Sequence, residues 1–252
     1  MLLLPAGNPS EWTGPTGNNT YLLTGAVPTL IDAGVGKAAH VTAIEDALAG
    51  GTLAAILITH RHPDHIAGIP ALLARWPGAA VRIFSADGRE DGEAIGAGDT
   101  VLRAIHTPGH APEHFCFLDE STRDLYCGDL ARIGGTIVLP ASAGGDLQQY
   151  LESLRRALAL RPRRLLPGHG PIVDDPGGLI REYLQHREER ERQIVDALRA
   201  GCRNIDRIVD RVYGPIAPAL RRGAAESVRA HLKKLAGGGE VVEIDGEWRM
   251  GG

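Results

Sequence analysis

Apolar positions come in short runs broken by glycine and proline over the first 170 residues, and in helical spacing after that. Thr20–Thr24 and Thr29–Ala33 are two such runs joined by Gly25-Ala26-Val27-Pro28, which predicts a hairpin. A helix follows over Ala38–Ala49, ended by Gly50-Gly51. Leu53–Thr59 is continuously apolar and suits a strand buried on both faces. Ile69–Arg75 reads as a short helix, and Val81–Phe84, Thr100–His106, His114–Leu118 and Asp124–Cys127 as strands. Leu147–Leu160 is amphipathic with helical period, and Arg163–Leu166 is a strand running into Pro167-Gly168-His169-Gly170.

Near residue 180 the character changes. Ile180–Ala200 is long, charged and helical, and Ile205–Tyr213 and Pro218–Ala236 predict two more helices. Glu240–Met250 reads as a hairpin with Asp245-Gly246 at its turn. Three helices and a terminal hairpin are the outline of a winged helix, so we divide the chain into 1–178 and 179–252. Charge follows this division. Ile180–Ala236 carries 13 Arg and Lys against 8 Asp and Glu, whereas the whole chain has a net charge of −4. A basic appendage therefore accompanies an acidic main unit. Within it, Arg187 to Arg192 reads as surface charge pairing at i,i+4.

Composition narrows the class. With 43% hydrophobic and 23% charged residues, the chain is neither a disordered tail nor a collagen-like repeat. Only 4% is aromatic, so Leu, Ala, Val and Ile must fill the core. No apolar run is long enough to span a membrane, and Met1–Pro5 lacks the basic start and length of a signal peptide. Cys116, Cys127 and Cys202 are odd in number and widely spaced, which points to buried thiols and a reducing cytoplasm.

The sharpest signal is His60-Arg61-His62-Pro63-Asp64-His65, directly after the buried strand. Chance would produce H-x-H-x-D-H in roughly one chain in a thousand of this size and composition. Imidazole nitrogen and carboxylate oxygen together suit Zn²⁺, Fe or Mn. The same arrangement recurs three times: His110 after Thr100–His106, Asp129 after Asp124–Cys127, and His169 after Arg163–Leu166, each in a glycine-containing turn at a strand end. Seven ligand-type groups are what two metals would need, with positions left for water and substrate.

This ordered set resembles the metallo-β-lactamase superfamily over about residues 8–175. The resemblance implies an α/β (α+β) fold, a four-layer αββα sandwich with a dinuclear site at one edge. It implies that His60, His62 and His110 hold one divalent ion and Asp64, His65 and His169 the other, with Asp129 bridging. Zinc is the expected metal, and Asp64 and Asp129 are the carboxylates expected to take part in catalysis. Asp32 matches the superfamily's early aspartate behind the ligand loop; capping a turn is its plainer reading. His114 is a candidate hydrogen-bond or proton donor, and Asn18, Asn19 and Arg132 are candidates to line the pocket.

Further segments resemble one branch of that superfamily across essentially the whole chain. They are Asn8-Pro9, Gly17-Asn18-Asn19-Thr20-Tyr21, Gly128-Asp129 with Gly134-Gly135-Thr136, Pro167 to Pro171, His186 to Arg190 and His231 to Leu235. The branch contains the endoribonuclease beta-lactamase-like protein two and implies metal-dependent cleavage of single-stranded RNA. Two cations would supply hydroxide near neutral pH for attack on phosphorus or a carbonyl. A hydrolase of a small ester, thioester (hydroxyacylglutathione-type), lactone or β-lactam is the alternative, and a nucleic-acid-binding protein with a vestigial site is a third. Asp129 in place of Cys argues against an exported lactamase of the Cys-ligand type. The 40 positions from Asp129 to His169 leave no room for the inserted domain of the β-CASP enzymes. Expected partners are therefore single-stranded RNA or a small ester or lactam, no membrane, and a second copy in a homodimer.

Overall fold

The computed structural model describes residues 1–251; Gly252, the last position of the second predicted unit, lies outside them. Two five-stranded sheets carry the first unit. One contains β1 (Leu2–Pro5), β2 (Asn19–Leu23), β3 (Thr29–Ile31), β4 (Ala55–Ile58) and β5 (Ala80–Ile83) in that order. The other contains β6 (Ala94–Ala97), β7 (Thr100–His106), β8 (Phe115–Asp119), β9 (Asp124–Gly128) and β10 (Arg164–Pro167) in reverse order. Both are mixed: β3–β4, β4–β5 and β9–β10 run parallel, and the other pairs antiparallel.

Period-two alternation deals the side chains of each strand to two different cores. Tyr21, Leu23, Ile31, Leu57, Phe115, Phe117, Tyr126 and Leu166 face one another between the sheets. Their neighbours Leu22, Leu30, Ile56 and Ile58 turn outward and pack with α1 (Ala38–Leu48) and α3 (Ile69–Arg75). Cys116, Leu118, Leu125, Cys127 and Leu165 turn outward from the second sheet onto α4 (Leu147–Ala159) and the start of α5 (Pro176–Arg199). The result is helix, sheet, sheet, helix. It also explains why these strands read as unbroken apolar runs: both faces are buried. Cys116 and Cys127 are free and buried, and Cys202 is free and half-buried.

The C-terminal unit has its own core. Ile194, Ala197 and Leu198 of α5 pack with Ile208 and Val209 of α6 (Ile205–Tyr213), with Val228, Leu232 and Leu235 of α7 (Pro218–Gly237), and with Val241 and Trp248 of the hairpin β11 (Val241–Ile244) and β12 (Glu247–Met250). Asp245 and Gly246 turn that hairpin with φ of 53° and 76°, as its sequence predicts.

Four elements differ from the sequence reading. β1 and β6 were not expected: both are four-residue edge strands, β1 with no buried residue and β6 with a glycine between its two buried residues, Ile95 and Ala97. The ligand motif, expected as a loop, contains a one-turn helix α2 (Pro63–Ile66), which Pro63 starts at its first position. α5 begins at Pro176, before Ile180, because Asp175 caps it by accepting from the Gly178 amide. It then runs through residue 178, placing Ile180 and Tyr183 in the first unit's core and Ile194 in the second's. No helix among the described residues is long and apolar enough to cross a membrane.

His231, fully buried on α7, has its pKa lowered to about 4 by burial, against an ordinary 6.5. A neutral imidazole there stabilises the fold above pH 6.5, and the contribution is lost as pH falls toward 4. Chemical denaturation at stepped pH should show stability falling across that window. In His231→Asn the fall should be shallower; an unchanged slope would contradict this assignment.

Candidate metal centre

The strand ends of both sheets meet at one edge, and the seven predicted ligands meet there with them. His60, His62 and Asp64 follow β4 with His65; His110 follows β7; Asp129 follows β9; His169 follows β10. Three sets of donor atoms lie within 4.8 Å of one another: His60, His62 and His110; His60, His65 and Asp129; Asp64, His65 and His169. In the first set His60 Nε2 is 3.0 Å from His62 Nδ1, which is 2.9 Å from His110 Nε2. Asp129 reaches both sides. Its Oδ2 is 3.5 Å from His110 Nε2, and its Oδ1 is 3.3 Å from His169 Nε2 and 3.6 Å from His65 Nε2. Asp64 Oδ2 is 3.4 Å from His169 Nε2.

Asp32 organises the inner half of this cluster. It sits at φ 61°, a left-handed conformation that Asp tolerates better than most residues. Its buried carboxylate accepts from the Thr59 amide at 2.8 Å and from His65 Nδ1 at 2.8 Å. It also accepts from the Thr59 hydroxyl at 3.0 Å. That hydroxyl, having donated its proton, can only accept from His60 Nδ1, 3.1 Å away. One carboxylate thereby fixes the tautomer of two imidazoles, leaving Nε2 of each turned to the cluster. His110 Nδ1 donates to the Val138 carbonyl at 2.8 Å with the same consequence.

Glycines make the room. A Cβ on Gly128, which has φ 46°, would lie 2.8 Å from His114 Nε2 and from Thr59 Oγ1. A Cβ on Gly168 would lie 2.7 Å from His65 Cε1 and 3.0 Å from Asp129 Oδ1.

The electrostatics divide the cluster. Burial and neighbouring imidazoles hold His60 well below its ordinary pKa, and burial brings His110 down to about 4 and lowers His62. These three present neutral nitrogen lone pairs. Burial also opposes charge on His65 and His169, but carboxylates outweigh it. Asp32, Asp129 and Asp64 push His65 up to about 9, and Asp129 and Asp64 push His169 up to about 10. Burial disfavours ionised Asp64 and Asp129 as well, yet both stay below the usual carboxylate range because of these imidazoles. One half is a set of neutral donors and the other draws in positive charge. Buried His65 Nε2, Asp129 Oδ1 and His169 Nδ1 have no hydrogen-bond partner. The donor set fits divalent metal ions.

The remaining candidates fall around this cluster. Asn18 Nδ2 donates to Asp64 Oδ2 at 3.0 Å, and Asn18 is itself gripped by Asn8. Asn19 is buried and braces the His169 turn by donating to the carbonyls of Pro167 and Gly170. His114 lies behind the site: its Nδ1 meets the Thr107 hydroxyl, and its Nε2 accepts from the Asp129 amide at 3.1 Å. Burial lowers its pKa to about 3, so it is a neutral acceptor placing the Asp129 turn. Arg132 borders the open side, where its Nη1 donates to the Trp12 carbonyl.

That open side is a cavity of about 640 Å³ reaching from His62, Asp64, His110, Asp129 and His169 to the C-terminal unit. Its far wall comes from α5 and α7 and was not anticipated. Arg187, read from sequence as part of a solvated charged face, is only 2% exposed and points to the first unit, donating to the Ile137 carbonyl and the Ser227 hydroxyl. Ile216, Leu220 and Trp12 complete the wall; Leu220 and Trp12 are 51% and 49% exposed. The one sequence signal was Gly223 inside a helix. A Cβ there would lie 3.4 Å from Trp12 and Val138, so glycine brings α7 close to the site.

The model of the metallo-beta-lactamase superfamily matches residues 13–83 and 77–169, and that of the beta-lactamase associated winged helix domain matches residues 205–248. A beta-lactamase-like protein 2 homolog of Caenorhabditis elegans is 32% identical, covering 93% of this chain and 83% of its own. An atrochrysone carboxyl ACP thioesterase of Aspergillus chevalieri is also 32% identical, covering 96% and 82%. A crystal structure of a metallo-beta-lactamase family protein from Thermus thermophilus superposes with a TM-score of 0.82 at 22% identity, covering 99% and 98%.

Asp32→Asn keeps the shape and the left-handed tolerance but removes a charge and an acceptor. It should weaken metal affinity by about 10- to 100-fold, the usual cost of losing a carboxylate behind a ligating histidine. Competition titration with a chromogenic chelator measures this. Wild-type affinity in the variant would show that Asp32 does not orient the ligands.

Proposed function

The chain belongs to the metallo-beta-lactamase superfamily and is a hydrolase of that type, and we propose that it cleaves a small ester or thioester in the cavity between its two units. The observation that carries this reading is the cavity itself: ligand-type residues on its floor and apolar side chains on its walls. Its volume is that of a small-molecule site. The thioesterase relative supports the same class of bond.

His60, His62 and His110 would hold one divalent ion, and Asp64, His65 and His169 a second, with Asp129 reaching both. Such ions, when bound, supply Lewis-acid polarisation of the scissile carbonyl and activation of water near neutral pH. The chain's own contribution is positional. Asp32 and Thr59 hold His60 and His65, Val138 holds His110, Asn18 holds Asp64, and His114 holds the Asp129 turn. Trp12, Val138, Ile216 and Leu220 shed water around an acyl group and limit how it can lie.

Single-stranded RNA finds less support as substrate. Cations of α7 that could hold phosphates are largely engaged. Arg221 pairs with Asp210 at 2.7 Å and Asp206 at 3.4 Å, and Lys234 with Glu191 at 2.8 Å; Lys233 donates to the Ala141 carbonyl.

A paired assay at matched zinc loading tests the reading: aryl esters and acyl thioesters against a single-stranded RNA oligomer. Ester or thioester turnover should dominate, and Asp129→Ala should lower it by about 100-fold or more while lowering metal content. RNA cleavage without ester or thioester turnover would replace this reading with a nuclease. So would RNA cleavage that collapses when Arg221, Arg222, Lys233 and Lys234 are changed to Glu.

A further inference from the structure

The cavity wall opposite the metal centre holds an electrostatic anomaly. Arg187 is 2% exposed, yet its partners are neutral: the Ile137 carbonyl, the Ser227 hydroxyl and the face of Tyr150, whose ring centre lies 5.4 Å from the guanidinium. Its Nε has no partner. Two more guanidinium groups border the same cavity. Arg190 stacks on Tyr213 at 4.1 Å and donates to the Gln193 side chain and the Val212 carbonyl. Arg132 donates to the Trp12 carbonyl. Nε of each is likewise buried and without a partner. Among the described residues, no carboxylate pairs with any of the three. The cavity's acidic residues are Asp64 and Asp129, in the metal-ligand cluster, and Glu11, exposed at the rim.

A buried guanidinium without a counter-ion is costly, and proteins ordinarily pair such charges. Even more exposed arginines of this chain find carboxylates: Arg163 and Arg164 converge on Asp124, and Arg82 forks onto Glu93. Arg187 is the only buried arginine among the described residues, and it lacks such a partner; half-buried Arg132 and Arg190, also without one, line the same cavity. Planar guanidinium groups are also the side chains best suited to bind a carboxylate or phosphate at two points.

We propose that Arg132, Arg187 and Arg190 form an anion subsite. It receives a carboxylate or phosphate on the part of the substrate remote from the bond that is cleaved. Building on the hydrolase reading above, this narrows the substrate to an ester or thioester with an apolar body and a second, anionic group. Trp12, Ile216 and Leu220 cover the body, the ligand cluster meets the scissile carbonyl, and the arginine wall meets the charge. The Tyr213 ring, 4.1 Å from the Arg190 guanidinium, helps to hold that group in place. Because Arg187 joins α5 to Ile137 of the first unit and Ser227 of α7, an anion there also bears on both units at once.

The test uses the full-length zinc-loaded chain and three ligands sharing one ring system: 2-naphthoate, 2-naphthyl phosphate and neutral 2-naphthamide. Calorimetric titration should find at least one anion bound tenfold or more tighter than the amide, and the tighter of the two identifies the group. Arg132→Leu and Arg190→Leu should each cut that preference at least threefold, and Arg187→Met should remove most of it. Metal content is measured in every variant. A purely structural Arg187 would change stability without changing the ratio of anion to amide affinity. Should Arg187→Met not fold, Arg187→Lys and the two other variants decide. No anion preference in the wild type, or a preference surviving in variants that retain their metal, overturns the subsite; in the latter case the metals read the charge. Hydrolysis of esters without charge preference would remove the subsite and leave the hydrolase reading intact. Charge preference lost in the arginine variants, in a protein that hydrolyses no ester or thioester, would do the reverse.

Discussion

The buried carboxylate of Asp32 is the constraint on which the site depends. It lies at the end of β3, in a backbone conformation most residues avoid, and reaches across to the loop that follows β4. Directly it holds His65; through the Thr59 hydroxyl it holds His60. Those two imidazoles belong to different halves of the ligand cluster, so a single buried charge sets the orientation of both. The parallel pairing of β3 with β4 makes this reach short, because it brings two strand ends with their following turns to the same edge. Gly128 and Gly168 then let the turns after β9 and β10 close over the histidines without collision.

A second layer of organisation comes from the C-terminal unit. Its helices α5 and α7 do more than extend the chain: they wall the cavity that the ligand cluster floors. α5 is continuous between the two cores, and Arg187, Tyr183 and Gly223 each join that unit to the loop at 132–138. On the proposed reading, substrate selection and metal chemistry fall to different units facing one cavity.

The convergence of these seven side chains was legible in the sequence because its parts are local and chemically distinctive. Three histidines and an aspartate within six residues need no tertiary information, and the glycine turns after apolar strands place the other three groups. The strands were legible for a related reason: burial on both faces leaves continuous apolar runs. The cavity wall was not legible. Trp12, Ile216 and Leu220 lie far apart in sequence and are brought together only by packing of the two units. Arg187 sits among Glu188, Glu189, Arg190 and Arg192, where helical periodicity cannot tell a buried cation from a solvated one. Edge strand β1 was missed because pairing, not burial, makes it a strand, and β6 because Gly96 breaks its short buried run of Ile95 and Ala97.

The central claim is that these seven side chains form one site for two metal ions, arranged by Asp32. Anomalous diffraction at the zinc edge, from crystals grown with zinc, tests it most directly. The account predicts two peaks, one among His60, His62 and His110 and one among Asp64, His65 and His169, with Asp129 between them. One peak alone, or metal held by other residues, would contradict it.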